Sequence, residues 1–353
     1  DLVKDSVRIW GKTKKTYRYI NRVALRHETY PVRVDVSVVK NSKKYKNKYI
    51  PTYNFLDSRV LQQPNQYEIE IEIDPDKVGE GTEYADAETL TAAVRKVITF
   101  VLQGLQGTNY PVSYLEQQDI IKAYSSLISE NKKPYSRRIY PKDFVGPSSN
   151  TLQMKNIVSL TDGSTIPNIR KNYTVTDKAD GARKMLYISS KKKVYLIDTN
   201  MNVQYTGTKV STDTFNNTLL DGEHILHNKS GKYINLYAAF DIYFLSNKDI
   251  RQLPFLPIEK RDKEKKEIKK IEGRLPLLNK TIQALKLEGV SKNDIIMRIQ
   301  AKSFYSTSAE QTIFQACNTV LQKEKSKLFE YNTDGLIFTP TLLGVGANHA
   351  TDK

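Results

Sequence analysis

From Glu68 to Asp74 the chain reads Glu-Ile-Glu-Ile-Glu-Ile-Asp, alternating charged and apolar side chains without a break. Side chains of a strand point to alternate faces, so this period of two constrains the segment to β-structure. Glu68, Glu70 and Glu72 share one face, and Ile69, Ile71 and Ile73 share the other. Three carboxylates within about 14 Å repel one another at neutral pH unless cations neutralise them. The face is therefore either solvated and salt-screened, or a cation site. The isoleucine face calls for a core, which would turn the glutamates toward an enclosed polar lumen. Upstream, Val32, Val34, Val36 and Val38 alternate with Arg33, Asp35, Ser37 and Val39, which predicts a second strand. Opposite charge is close in sequence. Lys12, Lys14, Lys15, Arg18 and Arg22 crowd one stretch, and Arg33 and Lys40 lie along the second strand.

The rest of the chain is α+β. Leu90, Val94, Val97, Ile98, Val101 and Leu102 recur at helical spacing and predict a helix over 86–105, followed by another over 113–130. Residues 131–150 are rich in Lys, Arg, Pro and Ser, including Lys132, Lys133, Arg137 and Arg138, and read as a linker or extended arm. Strands are expected at 173–177, 184–189, 193–198, 218–225, 233–243 and 335–339. Helices are expected near 258–272, 278–287 and 308–325, with the charge-dense run 259–270 as a solvated helix face. No internal repeat is present. A length of 353 residues suits two domains. The 55 Lys+Arg exceed the 39 Asp+Glu by 16, which fits a polyanionic partner and not a cationic one. No apolar run is long enough to span a bilayer. Cys317 is the sole cysteine, which excludes a disulfide framework, and His27, His224, His227 and His349 have no zinc spacing.

A Lys-x-Asp-Gly-x-Arg string, Lys178 to Arg183, directly follows the β-like run from Tyr173. A lysine amine that attacks the α-phosphorus of a nucleotide must lose its proton, and neighbouring cations or a metal can lower its pKa. Arg183 can hold ribose or phosphate oxygens through its planar fork, and Gly181 lets the backbone turn closely. Alone, the string could equally be a Lys-Asp pair in a tight turn. Three further strings follow in order: Leu220-Asp221-Gly222-Glu223, Tyr237-Ala238-Ala239-Phe240-Asp241-Ile242 and Thr333-Asp334-Gly335-Leu336-Ile337-Phe338.

Together the four strings resemble the covalent nucleotidyltransferase superfamily of DNA ligases, RNA ligases and mRNA capping guanylyltransferases, over about residues 138–353. The resemblance implies that Lys178 carries the nucleotide adduct. It implies nucleotide contacts for Asp180 and Arg183, a ribose contact for Glu223, a base stack for Phe240 and a metal near the phosphates for Asp334. The superfamily's later phosphate lysines and the capping enzymes' OB-fold are expected beyond Lys353. The glutamate strand resembles the late strand of the triphosphate tunnel metalloenzymes, which hydrolyse the RNA 5′ γ-phosphate. That implies metal ligation by Glu68, Glu70 and Glu72, triphosphate contacts for Arg18, Arg33 and Lys40, and Trp10 packed at the tunnel wall. The early carboxylate strand of that pattern is expected N-terminal to Asp1.

Jointly, YEIEIEID, YTVTDKADGAR, LDGEHI and TDGLIFTP resemble the capping enzymes of large nucleocytoplasmic DNA viruses. The implied fold is an antiparallel β-tunnel domain with helices over 1–130, a linker over 131–150 and a nucleotidyltransferase domain over 151–353. The implied function is removal of the RNA γ-phosphate, then transfer of GMP from GTP through Lys178 to the diphosphate end. Mg²⁺ or Mn²⁺, GTP and 5′-triphosphate RNA are the implied cofactor and substrates. A methyltransferase domain or subunit is the implied partner, with no membrane, in the host cytoplasm (viral factory) or the virion. An adenylylating polynucleotide ligase is the alternative enzyme; the glutamate strand, and Asp334 where ligases usually carry Glu, lean toward capping. A non-catalytic RNA-binding remnant is the third reading.

Overall fold

The computed structural model describes Lys4 and residues 8–129, 139–159, 165–261, 268–290, 296–308 and 311–345. The chain divides into two compact units, Asp1–Leu105 and Gln106–Lys353. Among the described residues, no helix is long and apolar enough to cross a membrane.

In the first unit, β1 (Arg18–Arg26), β2 (Val32–Asn41) and β5 (Gln66–Ile73) form an antiparallel sheet in the order β1-β2-β5. Between them lie the hairpin of β3 (Lys44–Tyr45) and β4 (Lys48–Tyr49), and a short helix α1 (Phe55–Ser58). Helix α2 (Ala87–Gln106) follows. It starts where Asp86 Oδ1 accepts from the backbone N–H groups of Glu88 and Thr89, both at 2.9 Å. The glutamate strand is a strand, but its isoleucine face is not the buried one: Glu70 and Glu72 keep 41% and 52% of their side chains exposed, and the isoleucines are no better covered. Asp35 and Ser37, opposite Glu70 and Glu68, are 1% and 0% exposed, whereas Ile69 and Ile73 are 38% and 52% exposed. Arginine side chains pair with the carboxylates and bury Asp35 beneath them, while Val23 and Val36 on the apolar face stay open and Val32 is covered. Among the described residues this sheet has three strands and open edges, too few to close into a barrel by themselves. Trp10 is 63% exposed and not packed at a wall.

The second unit begins with α3 (Tyr114–Ile128). A large antiparallel sheet follows, built from β7 (Ala182–Ile188), β8 (Lys193–Asp198), β9 (Val203–Val210), β10 (Thr218–His227), β11 (Tyr233–Leu245), β12 (Lys248–Asp249) and β15 (Leu287–Gly289). Its order is β12-β11-β10-β7-β8-β9-β15, and β16 (Arg298–Ala301) adds parallel to β11. A small sheet, β17-β6-β18, uses β6 (Tyr173–Ala179), β17 (Tyr305–Ser306) and β18 (Thr333–Pro340). The large sheet is buried on both faces, so the second half of β7, Met185 to Ile188, reads as a continuous apolar run and not an alternating one. Leu186 and Ile188 join one core with Leu275 and Leu278 of α4 (Arg274–Ala284). Met185 and Tyr187 join the other with Ile120 and Tyr124 of α3. Helix α5 (Ile313–Lys325) packs Ile313, Ala316 and Val320 on Val175 of β6.

Four expectations shift. Helix α3 belongs to the second unit, where Ile120 and Tyr124 share a core with Met185 and Tyr187. The arm expected over 131–150 is described from 139 onward, where Ile139, Phe144 and Val145 pack into the α3 core; Lys132, Lys133, Arg137 and Arg138 lie outside the described residues. The helix expected over 258–272 is absent: β13 (Ile258–Arg261) and β14 (Ile268–Ile271) pair antiparallel, and 262–267 lie outside the described residues. The charge run favours helix by composition but has no apolar stripe at helical spacing to bury. Strand β9 was not expected, because Gly207 interrupts its pattern. That glycine has φ +71° and sits where a Cβ would fall 2.1 Å from the Tyr110 ring.

Candidate active site between two sheets

Lys178 stands next to last in β6, and the turn Asp180-Gly181 carries the chain from the small sheet to β7 of the large one. The turn is pinned by the Asp180 N–H donating to the Asn332 carbonyl at 2.8 Å. A side chain at Gly181 would press on the His224 carbonyl and Ile225, at 3.1 and 3.0 Å. Opposite Lys178, the start of β18 bulges between Thr333 and Leu336, with Gly335 at φ +144°. A bulge re-aims a side chain, and here Asp334 Oδ2 meets Lys178 Nζ at 2.5 Å. The hydrogen bond to Asp334 is the main cause of a raised Lys178 pKa, with Glu223 and Asp180 adding to it. The resting lysine is thus an ammonium, and it must lose its proton before it can attack phosphorus.

The large sheet supplies the other wall. Arg183 of β7 grips Asp221 of β10 with two hydrogen bonds, Nε–Oδ1 at 3.1 Å and Nη2–Oδ2 at 2.6 Å. Asp221 is fully buried and also accepts from the Tyr243 hydroxyl at 2.6 Å. The Arg183 guanidinium lies between the Phe144 and Phe240 rings, 5.4 and 5.6 Å from their centroids. Two residues on from Asp221, Glu223 has its Oε2 buried with no hydrogen-bond partner among the described residues. Burial pushes its pKa up to about 7, and the Lys302, Arg183 and Lys178 charges oppose that only in part. An unsatisfied buried carboxylate oxygen is costly, and it suits a ligand that brings a donor. The residues named from sequence for nucleotide contact, Asp180, Arg183, Glu223, Phe240 and Asp334, are all set around this junction of the two sheets.

Two contributors were not legible beforehand. Lys302, 8% exposed, contacts Asp177 Oδ2 at 3.0 Å and donates to the Asp177 carbonyl, and its charge reaches Glu223. A lone lysine in Ala301-Lys302-Ser303 carries no sequence signal. The second is the arm after 139. Pro147 accepts from Arg183 Nη1 at 2.7 Å, and a Cβ on Gly146 would fall 2.2 Å from Arg183 Nη2 and 2.7 Å from Asp221 Oδ2. Gly146→Ala should therefore dislodge the Arg183–Asp221 pair. The expected result is a loss of about 1–3 kcal/mol in a urea melt, together with slower nucleotide loading. A variant that matched wild type in both would show the arm to be incidental.

In the first unit the glutamates meet arginines. Arg18 pairs with Glu68, Arg22 with Glu70 at 2.5 Å, and Arg33 with Glu72 at 2.5 Å. Arg22 and Arg33 both also hold Asp35, at 2.9 and 3.0 Å. Oxygens of Asp35, Glu70 and Glu72 lie within 4.8 Å of one another, hard donors of the kind divalent ions take. Asp35 was not named as a ligand from sequence, and Glu68 is outside this group. Lys40 lies on the other face of β2 by alternation from Arg33, and it donates to the Leu61 carbonyl at 2.8 Å.

The family model of the mRNA capping enzyme catalytic domain matches residues 116–347, more than half of the chain. The chain belongs to that family. Within it, the capping-enzyme match takes in all four strings from Lys178 to Phe338 and both sheets that build the junction. A probable mRNA-capping enzyme of Acanthamoeba polyphaga mimivirus is 25% identical over 244 residues, 69% of this chain and 17% of that protein. An mRNA-capping enzyme of Danio rerio is 26% identical over 207 residues, 56% of this chain and 30% of that protein. The chain thus spans less than a third of either relative. Residues 1–115 lie outside the family match, so the glutamate sheet rests on its own geometry.

Proposed function

We propose that this capping-family chain transfers GMP from GTP to Lys178 and then to the 5′-diphosphate end of RNA. The observation that carries this is the Lys178–Asp334 pair facing the unpartnered Glu223 oxygen across the sheet junction. In the first half-reaction Lys178 must release a proton to solvent. Its Nζ then bonds to the α-phosphorus, the α–β phosphoanhydride breaks and pyrophosphate leaves. In the second, a β-phosphate oxygen of the RNA displaces Nζ and the lysine regains a proton. Mg²⁺ or Mn²⁺, for which Asp334 offers a hard carboxylate, would supply charge neutralisation of the phosphates. Phe240 offers a flat face to the guanine, with Arg183 already stacked against the ring. Glu223 would accept from the ribose hydroxyls when ionised.

That role sets a pH dependence. Because Glu223 titrates at about 7, its acceptor form is lost as pH falls through neutrality. GTP affinity should weaken from about pH 8 to about pH 6, and more steeply in wild type than in Glu223→Gln. Parallel curves in a calorimetric titration would remove Glu223 from the ribose contact.

The removal of the RNA γ-phosphate by the first unit is a second reading, supported by the Asp35, Glu70 and Glu72 oxygens gathered among arginines. The wild-type chain should release phosphate from triphosphate RNA, and Glu70→Ala should abolish that release and leave GMP loading intact. Loss of both with the fold retained would indicate one shared site.

A further inference from the structure

The first unit carries a cationic aromatic surface that nucleotide transfer does not use. Residues 8–27 and 36–56 contain no aspartate or glutamate. Lys12, Lys14 and Lys15 lie on one segment, and Lys43, Lys44, Lys46 and Lys48 lie on and beside the β3–β4 hairpin. The two are joined: Lys15 and Thr52 exchange backbone hydrogen bonds at 2.8 and 2.9 Å, and the Tyr17 hydroxyl donates to the Tyr53 carbonyl at 3.1 Å. Four aromatic rings stand out from this surface. Trp10, Tyr45, Tyr49 and Tyr53 are 63%, 66%, 39% and 52% exposed. Each has a lysine ammonium over its ring: Lys15 at 4.7 Å, Lys46 at 5.6 Å, Lys44 at 4.6 Å and Lys14 at 5.3 Å, respectively.

The geometry points to a sequence-tolerant binding site for single-stranded RNA on this surface, holding the transcript body and not its 5′ phosphates. Exposed rings give unpaired bases a stacking partner, and interleaved ammonium groups meet the backbone phosphates. An acidic peptide would use the lysines but has no flat bases for the rings; an anionic lipid surface could take both, so vesicles are an arm of the test. Duplex RNA hides its bases in the stack. Beside Tyr49 a polar cleft of about 320 Å³, lined also by Thr16, Tyr17, Arg18, Asn41, Gln66 and Glu68, can take one base, with the Glu68 carboxylate neutralised by Arg18. On its wall Asn41 donates to Gln66 Oε1 at 2.8 Å, which leaves the Asn41 oxygen and the Gln66 amide protons to read a base edge.

Trp10 is the only tryptophan, so its fluorescence reports on this surface alone. The full chain is titrated with a 5′-hydroxyl single-stranded RNA of mixed sequence, a duplex of the same length, and anionic vesicles. Single strands should change Trp10 emission and bind at least about ten-fold tighter than duplex. Tyr45→Ala with Tyr49→Ala should weaken that binding about ten-fold. Lys44→Glu with Lys46→Glu should lower the salt slope by about 1.4. Both pairs should leave GMP loading at wild-type rates, so a failure here is separable from a failure of the transfer reading. Equal affinity for duplex, or vesicle binding that competes fully with RNA, would overturn the proposal on the wild-type protein without recourse to variants.

Discussion

Lys178→Arg should form no nucleotide adduct under conditions where the wild-type chain does. A guanidinium keeps its proton up to about pH 12 or above, so it offers no lone pair to phosphorus. It still satisfies Asp334, which sits at 2.5 Å from the native amine, so the fold and GTP binding should survive. Loss of a covalent nucleophile costs on the order of 10⁶ in rate where it has been dissected. Autoradiography after denaturing electrophoresis with α-labelled GTP would read the result. Because Asp334 holds Lys178 protonated, wild-type loading should also accelerate as pH rises above neutral. A labelled Lys178→Arg band would place the nucleophile elsewhere.

Arg274→Leu should be strongly destabilising although it lies outside the Lys178–Asp334 pair. The Arg274 side chain is 1% exposed and clamps Asp241 with Nε–Oδ1 at 2.8 Å and Nη2–Oδ2 at 3.0 Å. Its remaining nitrogen donates to the Leu253 and Leu343 carbonyls, so one guanidinium ties β11 to α4 and to the segment after β18. Removing it strands a buried carboxylate, at a cost of about 3–5 kcal/mol. Adding Asp241→Asn should recover part of that loss, because the stranded charge is then gone. A shift in the urea midpoint equivalent to less than about 1 kcal/mol would mean that the pair is hydrated or dispensable.

The candidate site residues were nameable from sequence because their strings are local: Lys178, Asp180 and Arg183 sit within one strand-turn-strand, and Asp334 sits beside a glycine that the bulge requires. Asp241 was visible as part of a string, but its partner is 33 residues further on and only the fold pairs them. Lys302 and Gly146 were illegible for related reasons. Lys302 acts through burial, which composition does not report, and Gly146 lies in a Pro- and Ser-rich stretch that looks like a linker. The glutamate strand was read correctly as a strand, with its two faces misassigned to core and lumen. Alternation fixes which residues share a face but not which face is covered, and three neighbouring arginines decided that here.

The most direct test of the account is to incubate the chain with Mg²⁺ and either GTP or ATP in separate tubes and to locate any adduct by peptide mass spectrometry. The account predicts GMP on the peptide that contains Lys178, joined by an acid-labile, base-stable phosphoramidate, with little or no AMP. AMP on Lys178 would make the chain a ligase-type nucleotidyltransferase. GMP on another residue, or none from either nucleotide, would contradict the assignment of Lys178 as the nucleophile.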